Sequence, residues 1–528
     1  MKSLMKKVFA AAAAIATVFG LAATTVATAN AADNATLTVS TTDAKFAGKT
    51  VNAYKMFSAT VSGDGKAVSY TLTDEWKPFF KNSVGLTGVT DENVNDKAND
   101  YVSKLKDSTL VAFATKASNW AQTKANNITA DATATVSADA SNGKYTATFT
   151  GLGYGYYVVA VPGATLANAK SQYATLVSVH STKVDADIKG DLPTVDKKVQ
   201  VDGTGKDATD AKIGDTLTFT LTSTIPDMSA YDTYTFNFKD TLSKGLTFGQ
   251  VKSVKVENVT LTENTDYTVT TPTASNNNTL TVAMKDFKTK QQANAGKKIT
   301  VTYTATLNEN AVVGGAGNVN SAKIQYSNNP SSGGTGESEP SKVRVFTYGF
   351  TVDKYTGDQY TDAATRLAGA EFTLAHKDGS AISFVQVSAG SATANAVYRV
   401  AKAGETGTTT ITTPANGKVV FEGLKNGEYT LTETEAPAGY NKLASAIGVK
   451  VNGQNNGTDT TNATVTITYN NDNGNDYNQT ASNGVIPVQN KSGAILPGTG
   501  GMGTIAFTVI GVLVIALGVA WTLKRKNA

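Results

Sequence analysis

No cysteine occurs anywhere in the 528 residues, so neither disulfides nor thiolate chemistry can stabilise or operate this protein. Histidine is nearly as scarce: His180 and His376 are the only two, and no motif surrounds either. A histidine-based triad or a His-rich metal site is therefore not expected, and no cofactor or metal is called for. The loop Asp472-Asn473-Gly474 has a calcium-loop flavour, but no acidic residue closes it at the required spacing. Charged side chains make up 17% of the chain and the net charge is +4, with no polybasic groove pattern for nucleic acid. Thr, Asn, Gly, Val and Ala are plentiful, which suits strands and turns more than helices. A chain of this length is expected to form about three domains.

Both ends carry processing signals. Lys2, Lys6 and Lys7 precede an apolar stretch from Val8 to about Ala23, and Ala29-Asn30-Ala31 supplies small residues for cleavage between Ala31 and Ala32. This reads as a signal peptide over residues 1–31, so the chain is expected to be secreted. At the other end, Leu496, Pro497, Gly498, Thr499 and Gly500 stand before an apolar run from Thr504 to Leu523, followed by Lys524, Arg525 and Lys526. The run is long enough for a transmembrane helix, and the basic tail favours the cytoplasmic side. Pro497 fixes φ and the two glycines loosen the backbone, so the pentapeptide is expected to be extended and open to an enzyme.

Between the ends the pattern is all-β with one interruption. In the first domain (residues 32–190), Thr36–Val39 and Thr50–Tyr54 alternate like strands. Apolar residues then recur at helical spacing from Asp91 to Ala121, and Lys144–Phe149 and Tyr156–Val161 return to strands. A β-sandwich with a helical insertion is predicted. The second domain (191–342) shows strand signals at Asp215–Leu221, Tyr234–Phe238, Asp266–Val269, Thr279–Ala283 and Ile299–Leu307, which predicts an immunoglobulin-like sandwich. The Gly- and Ser-rich segment Ser331–Pro340 reads as a linker to a third domain (343–495).

Polar residues stand among the inward positions of these strands. Val195, Lys197 and Val199 share one face, as do Phe238, Asp240 and Leu242, and Asn320, Ala322, Ile324 and Tyr326. In the third domain Phe350, Val352 and Lys354 share a face, as do Tyr429, Leu431 and Glu433, and Ile486, Val488 and Asn490. Each polar group would be costly to bury alone. Together they can react, because burial favours a neutral amine and a protonated carboxyl. The amine can then attack the carboxamide and expel ammonia. In the second domain, alternation alone fits an exposed edge lysine, a loop aspartate and a satisfied asparagine more readily.

Motifs change that weighting. The order LPxTG, apolar span, basic tail resembles the cell-wall sorting signal of Gram-positive surface proteins, in which a sortase cleaves between the Thr and the Gly, here Thr499 and Gly500. PTVDKKV, the FxDxLxxGL block Phe238–Leu246 and NSAKIQYSN (Asn320–Asn328) resemble the collagen-adhesin A-type (CnaA) domain of sortase-assembled backbone pilins. The resemblance implies an isopeptide between Lys197 and Asn320 assisted by Asp240, with Lys198 and Asn318 as neighbouring alternatives. YTLTETEAPAGY resembles the E-box of B-type (CnaB) domains, which implies an isopeptide between Lys354 and Asn490 assisted by Glu433. FTGLGYGYYVVAV (Phe149–Val161) aligns without a gap on FEGLKNGEYTLTE (Phe421–Glu433), with Val161 where Glu433 stands. The first domain is therefore expected to be a B-type sandwich without the assisting acid and without this crosslink.

The family joins subunits through a lysine that accepts the sortase-bound Thr carbonyl. Here the matching place reads VDADIKGDLP, so Lys189 is the candidate and Lys183 the alternative. The aromatic and the Pro that usually precede this lysine are missing. The resemblance implies tandem CnaB- and CnaA-type sandwiches and a structural subunit of a covalent cell-surface pilus. Its partners would be pilin-specific and housekeeping sortases, identical subunits, ancillary pilins, peptidoglycan and host or matrix glycans or proteins. The subunit would end in a wall-anchored pilus, after a precursor held in the plasma membrane by residues 496–528. A wall-anchored adhesin or ancillary pilin is the alternative. An enzyme is not expected, since the only derivable chemistry consumes its own Lys and Asn.

Overall fold

The computed structural model describes residues 34–493, apart from 63–66, 165–173, 189, 329, 331–332, 359–361, 455–462 and 473, together with 510–517, 519, 521 and 522. The chain divides into two compact units: Met1–Thr347 with Gly453–Thr464, which holds the first two sandwiches, and Tyr348–Asn452 with Val465–Ala528, which holds most of the third. The signal-peptide residues 1–31, the cleavage pair Ala31 and Ala32, Lys189 and the pentapeptide Leu496–Gly500 lie outside the described residues. Residues 510–517 are helical, and among the described residues no helix is long and apolar enough to cross a membrane.

In the first sandwich, Ala35–Thr41 runs between Tyr145–Leu152, antiparallel to it, and Lys183–Asp187, parallel to it. The second sheet is built on Thr50–Val61 and Gly155–Ala160. The predicted helical stretch forms two helices, Val94–Ser103 and Asp107–Gln122, with a third at Lys77–Asn82. The break comes where Lys104 N and Leu105 N turn back on the carbonyls of Tyr101 and Val102, three residues earlier. A fresh start follows, in which Lys106 N donates to the Thr109 hydroxyl. The insertion buries Phe79, Phe80, Val94, Ala98, Phe113 and Ala117 against Phe57 and Tyr156 of the sheet. The apolar stripe is thus core.

The second sandwich packs a six-stranded sheet on a seven-stranded one. Asp196–Val201, Thr216–Thr224 and Lys298–Leu307 are neighbours in the first; Phe236–Leu242, Asn318–Ser327 and Ser341–Phe346 belong to the second. All five predicted strands are present, some longer than the alternation indicated. Ser331–Pro340 differs from expectation. Thr335–Glu337 pairs with Gln325–Ser327, and Ser338 Oγ accepts a bond from Ile324 N, so the described part of this stretch is an edge strand of this sandwich. Short polar edge strands carry turn-like composition, which is why this one reads as a linker. Ser341–Phe346 then pairs with Asn318–Ala322, and the division falls after Thr347.

The third sandwich packs a five-stranded sheet on a six-stranded one. Its first strand, Tyr348–Tyr355, lies antiparallel to Lys418–Leu424 and parallel to the last strand of that sheet, Val485–Gln489. Glu371–His376, Gly427–Glu435 and Ile447–Gln454 are central in the facing sheet. Equivalent pairings join the elements of the first sandwich. The repeat is also visible at atomic scale: Tyr157 Oη donates to Gly153 O at 2.7 Å, and Tyr429 Oη donates to Lys425 O at 2.6 Å. Gly151 and Gly423, matched in the alignment, both have positive φ, at 73° and 83°, where a side chain would be strained.

Candidate reactive centres: two buried lysine, acid and amide clusters

In the second sandwich the alternation places Lys197 inward from one sheet and Asp240 and Asn320 inward from the other. All three side chains are fully buried. Cross-strand register brings Asp240 opposite Ala322 and Leu242 opposite Asn320, so acid and amide are diagonal neighbours on one face. Lys197 Nζ is ion-paired with Asp240 Oδ2 and donates to Tyr303 Oη at 2.9 Å. Tyr303 Oη donates to Asp240 Oδ2 at 2.6 Å and accepts from Asn320 Nδ2 at 2.6 Å. Phe219 stacks on Tyr303 with ring centroids 5.3 Å apart, and the ammonium lies 5.2 Å from both ring centres. Loss of hydration pulls the Lys197 pKa down to about 8, although Asp240 opposes the shift. Burial, reinforced by Asp240, pushes the Tyr303 phenol well above its usual value.

The neighbouring residues are occupied elsewhere. Lys198 pairs with Asp207 at 2.5 Å and with Asp196 at 3.3 Å, on a half-exposed side of the strand. Asn318 is buried, but its amide ties down a loop: Oδ1 accepts from Val312 N, and Nδ2 donates to Val312 O and Val345 O. Asn320 Oδ1 and Asp240 Oδ1, by contrast, are buried without a hydrogen-bond partner. Such orphans are rare in packed interiors and mark a site in need of explanation.

The third sandwich assembles the same chemistry from different strands. Lys354 stands opposite Val488 in the parallel pair of first and last strands, and Asn490 N donates to Tyr355 O at 3.0 Å, so lysine and amide are strand neighbours. Glu433 comes from the facing sheet. Lys354 Nζ is 3.4 Å from Glu433 Oε1 and donates to Val488 O at 3.2 Å. Asn490 Nδ2 donates to Glu433 Oε2 at 3.0 Å, and Leu443 N donates to the same oxygen at 2.8 Å. The exposures of Lys354, Glu433 and Asn490 are 0%, 2% and 1%, and desolvation again lowers the lysine pKa to about 8. Glu433 Oε1 and Asn490 Oδ1 also lack hydrogen-bond partners.

The first sandwich has the same frame without the polar groups. Ile188 N donates to Ser40 O just as Asn490 N donates to Tyr355 O, which makes Ile188 the counterpart of Asn490 and Val39 that of Lys354. With Val161 at the Glu433 position, all three places are apolar. Lys183 begins the last strand of this sandwich and is exposed. Asp191, just beyond Lys189, is buried and ion-paired with Lys45.

No sequence motif singles out Tyr303. Its inward place in the alternating run Ile299–Leu307 marks it as core, but nothing in the run identifies what its hydroxyl meets. Among the described residues, no group of three or more His, Asp or Glu is placed to hold a metal ion.

Parts of the chain are similar to known proteins. Residues 213–330 match the family model for the Gram-positive pilin backbone subunit 2, Cna-B-like domain, and residues 358–466 that for the SpaA prealbumin-like fold domain. The first description is B-type, where the motifs of the second sandwich resemble the A type. The trypsin-resistant surface T6 protein of Streptococcus pyogenes serotype M6 is 25% identical over 279 residues, covering 48% of this chain and 44% of that protein. The chain thus matches less than half the length of this curated relative. Among solved structures, the T6 backbone pilin of serotype M6 S. pyogenes covers 87% of this chain and 99% of its own, at 19% identity and TM-score 0.46. The full-length major pilin SpaD of Corynebacterium diphtheriae covers 88% and 98%, at 20% identity and TM-score 0.40. The chain is a tandem of immunoglobulin-like sandwiches, of which residues 213–330 match a Gram-positive pilin backbone domain and residues 358–466 a SpaA prealbumin-like domain.

Proposed function

We propose that the chain is the structural shaft subunit of a covalently polymerised pilus on a Gram-positive cell surface. The observation that carries this reading is the pair of buried clusters. Each sets a lysine of lowered pKa beside an acid and a carboxamide whose oxygen has no donor. A buried lysine and acid give a protein little net stability over apolar packing. Two such centres in successive sandwiches are accounted for if each reacts once. The neutral amine of Lys354 attacks Cγ of Asn490, a new amide forms, and the old carboxamide nitrogen leaves as ammonia. Glu433 accepts the proton released by the lysine and delivers one to the leaving nitrogen. Lys197 and Asn320 react in the same sense, assisted by Asp240. Neither bond turns over, so this chemistry is self-crosslinking.

Between subunits, a sortase would cleave after Thr499 within Leu496–Gly500 and pass the Thr499 carbonyl to Lys189 of the next copy, or to Lys183. Identical subunits, ancillary pilins and finally peptidoglycan are the acceptors in this scheme, and adhesion is the task of the finished fibre. The test is a gel of surface extracts boiled in SDS. A ladder of high-molecular-weight species is expected, lost on Lys189→Ala or Thr499→Ala and kept on Lys183→Ala. A ladder untouched by Lys189→Ala and lost on Lys183→Ala would move the joint. Monomers only in the natural chain would remove the shaft reading. Intact-mass analysis of the secreted chain should show two losses of ammonia, none of them in the first sandwich.

A further inference from the structure

The two centres differ in how the acid reaches the departing nitrogen. In the third sandwich Asn490 Nδ2 donates straight to Glu433 Oε2. In the second the acid is an aspartate, one methylene shorter, and Asn320 Nδ2 donates instead to Tyr303 Oη at 2.6 Å. That phenol donates in turn to Asp240 Oδ2 at 2.6 Å and accepts from Lys197 Nζ at 2.9 Å. It touches the attacking nitrogen, the leaving nitrogen and the acid at once, in a pocket with no exposure to water. Stacking on Phe219, its cross-strand neighbour, holds the ring in place.

We propose that Tyr303 is a catalytic residue for the crosslink between Lys197 and Asn320, relaying a proton from Asp240 to the departing amide nitrogen. This rests on the reading that the bond forms. Attack of the Nζ lone pair on Cγ of Asn320 makes the new C–N bond and moves the carbonyl π pair onto Oδ1. Nζ then gives a proton to Asp240. The phenol gives its own proton to Nδ2, which leaves as ammonia while the pair on Oδ1 restores the carbonyl, and Asp240 returns a proton to the phenol. One amide is made, one is broken, and no external acid or base is consumed. Burial supports the relay by keeping the phenol protonated across the working pH range. A phenol placed between two nitrogens and a carboxylate satisfies the geometric requirement for general acid catalysis.

The experiment follows the full chain after cell-free synthesis, with timed quenching and tryptic mass spectrometry of both crosslinked peptides. Tyr303→Phe keeps the ring and removes the hydroxyl. It is expected to slow the Lys197–Asn320 link by about 100-fold or more, with the Lys354–Asn490 link unchanged as internal clock. Adding Asp240→Glu, which lengthens the acid toward the leaving nitrogen as in the third sandwich, should restore part of that rate. An unchanged rate in Tyr303→Phe would overturn the proposal, as would a slowed rate that Asp240→Glu does not lift. If Tyr303→Phe leaves the second sandwich open to trypsin, a fluorinated tyrosine at 303 replaces it. The closure rate and its pH profile must then follow phenol acidity, and a rate indifferent to fluorination sinks the relay. Absence of the link from the natural chain would instead refute the underlying crosslinking reading, so the two failures are distinguishable.

Discussion

At the scale of single residues, both lysines are held below their ordinary basicity, and the consequence can be measured in a chain that cannot react. Replacing Asn320 and Asn490 by Ala leaves Lys197 and Lys354 free amines in their sites. Each has a folded pKa of about 8 against an ordinary 10.5. Between these values the unfolded chain binds a proton that the folded chain does not, so stability rises with pH through this window. Below about pH 8 both states carry the charge and the slope vanishes. Urea titrations of the double variant at pH 7 and pH 10 should show, for each of these two sandwiches, a gain on the order of 1–3 kcal/mol at the higher pH. A flat or falling trend would mean that the ammonium is as well held inside as in water. The residues of both clusters were legible because strand alternation, read with the surrounding motifs, shows which side chains face inward. What alternation cannot separate is Asn318 from Asn320, which share a face two positions apart. Only the loop at Val312, folded back onto Asn318, shows that one amide ties down the backbone while the other turns to Tyr303 in the cluster. Tyr303 escaped for a related reason: the partner of an inward hydroxyl is set by the opposite sheet.

At the scale of elements, the parallel pairing of first and last strands gives the third centre its leverage. Tyr348–Tyr355 and Val485–Gln489 are far apart in sequence and adjacent in space, so a bond from Lys354 to Asn490 closes nearly the whole sandwich into one loop. In the chain-entropy picture a crosslink around a loop of over 100 residues removes about 4–5 kcal/mol of unfolded-state freedom. Asn490→Ala should therefore lower the melting temperature of this sandwich by about 10–20 °C by calorimetry, with Lys197–Asn320 still closed by mass. A shift within a few degrees would mean that strand pairing alone carries the stability. The first sandwich uses the same pairing and fills the three positions with Val39, Ile188 and Val161. Its lack of acid was visible in the ungapped alignment. The identities of Val39 and Ile188 as counterparts were not, since they depend on register. Element ends were the least legible feature: the helical insertion breaks at Lys104–Lys106, and the supposed linker at Ser331–Pro340 holds an edge strand, Thr335–Glu337. In both places local composition was outweighed by contacts made across the fold.

At the scale of the whole molecule, the order of crosslinks along the chain decides which parts of a fibre can stretch. If subunits join through Lys189 and Thr499, tension enters after Asn490 and leaves before Lys197. The first sandwich precedes Lys189 and would then lie outside the load path, in keeping with the apolar residues at its three matching positions. In the third sandwich the proposed bond would carry the load from Asn490 to Lys354 directly and shield the chain between them. The second sandwich is guarded less completely. Its crosslink would join Lys197 to Asn320, so the strands Thr335–Glu337 and Ser341–Phe346 stay in series with the load, held by pairing to Asn318–Ser327 and, for Ser341–Phe346, also to Ala208–Asp210. Pulling a single subunit between positions 189 and 499 should therefore show no full unfolding step. It should show one short release, from the roughly 25 residues after Asn320, of at most ~90 Å. Asn320→Ala should replace that release with the much longer extension of an entire sandwich. Asn490→Ala should add a second long step while leaving the short one in place. A long step in the natural, fully crosslinked chain would contradict this path, and the absence of any short release would place the load elsewhere than on Ser341–Phe346.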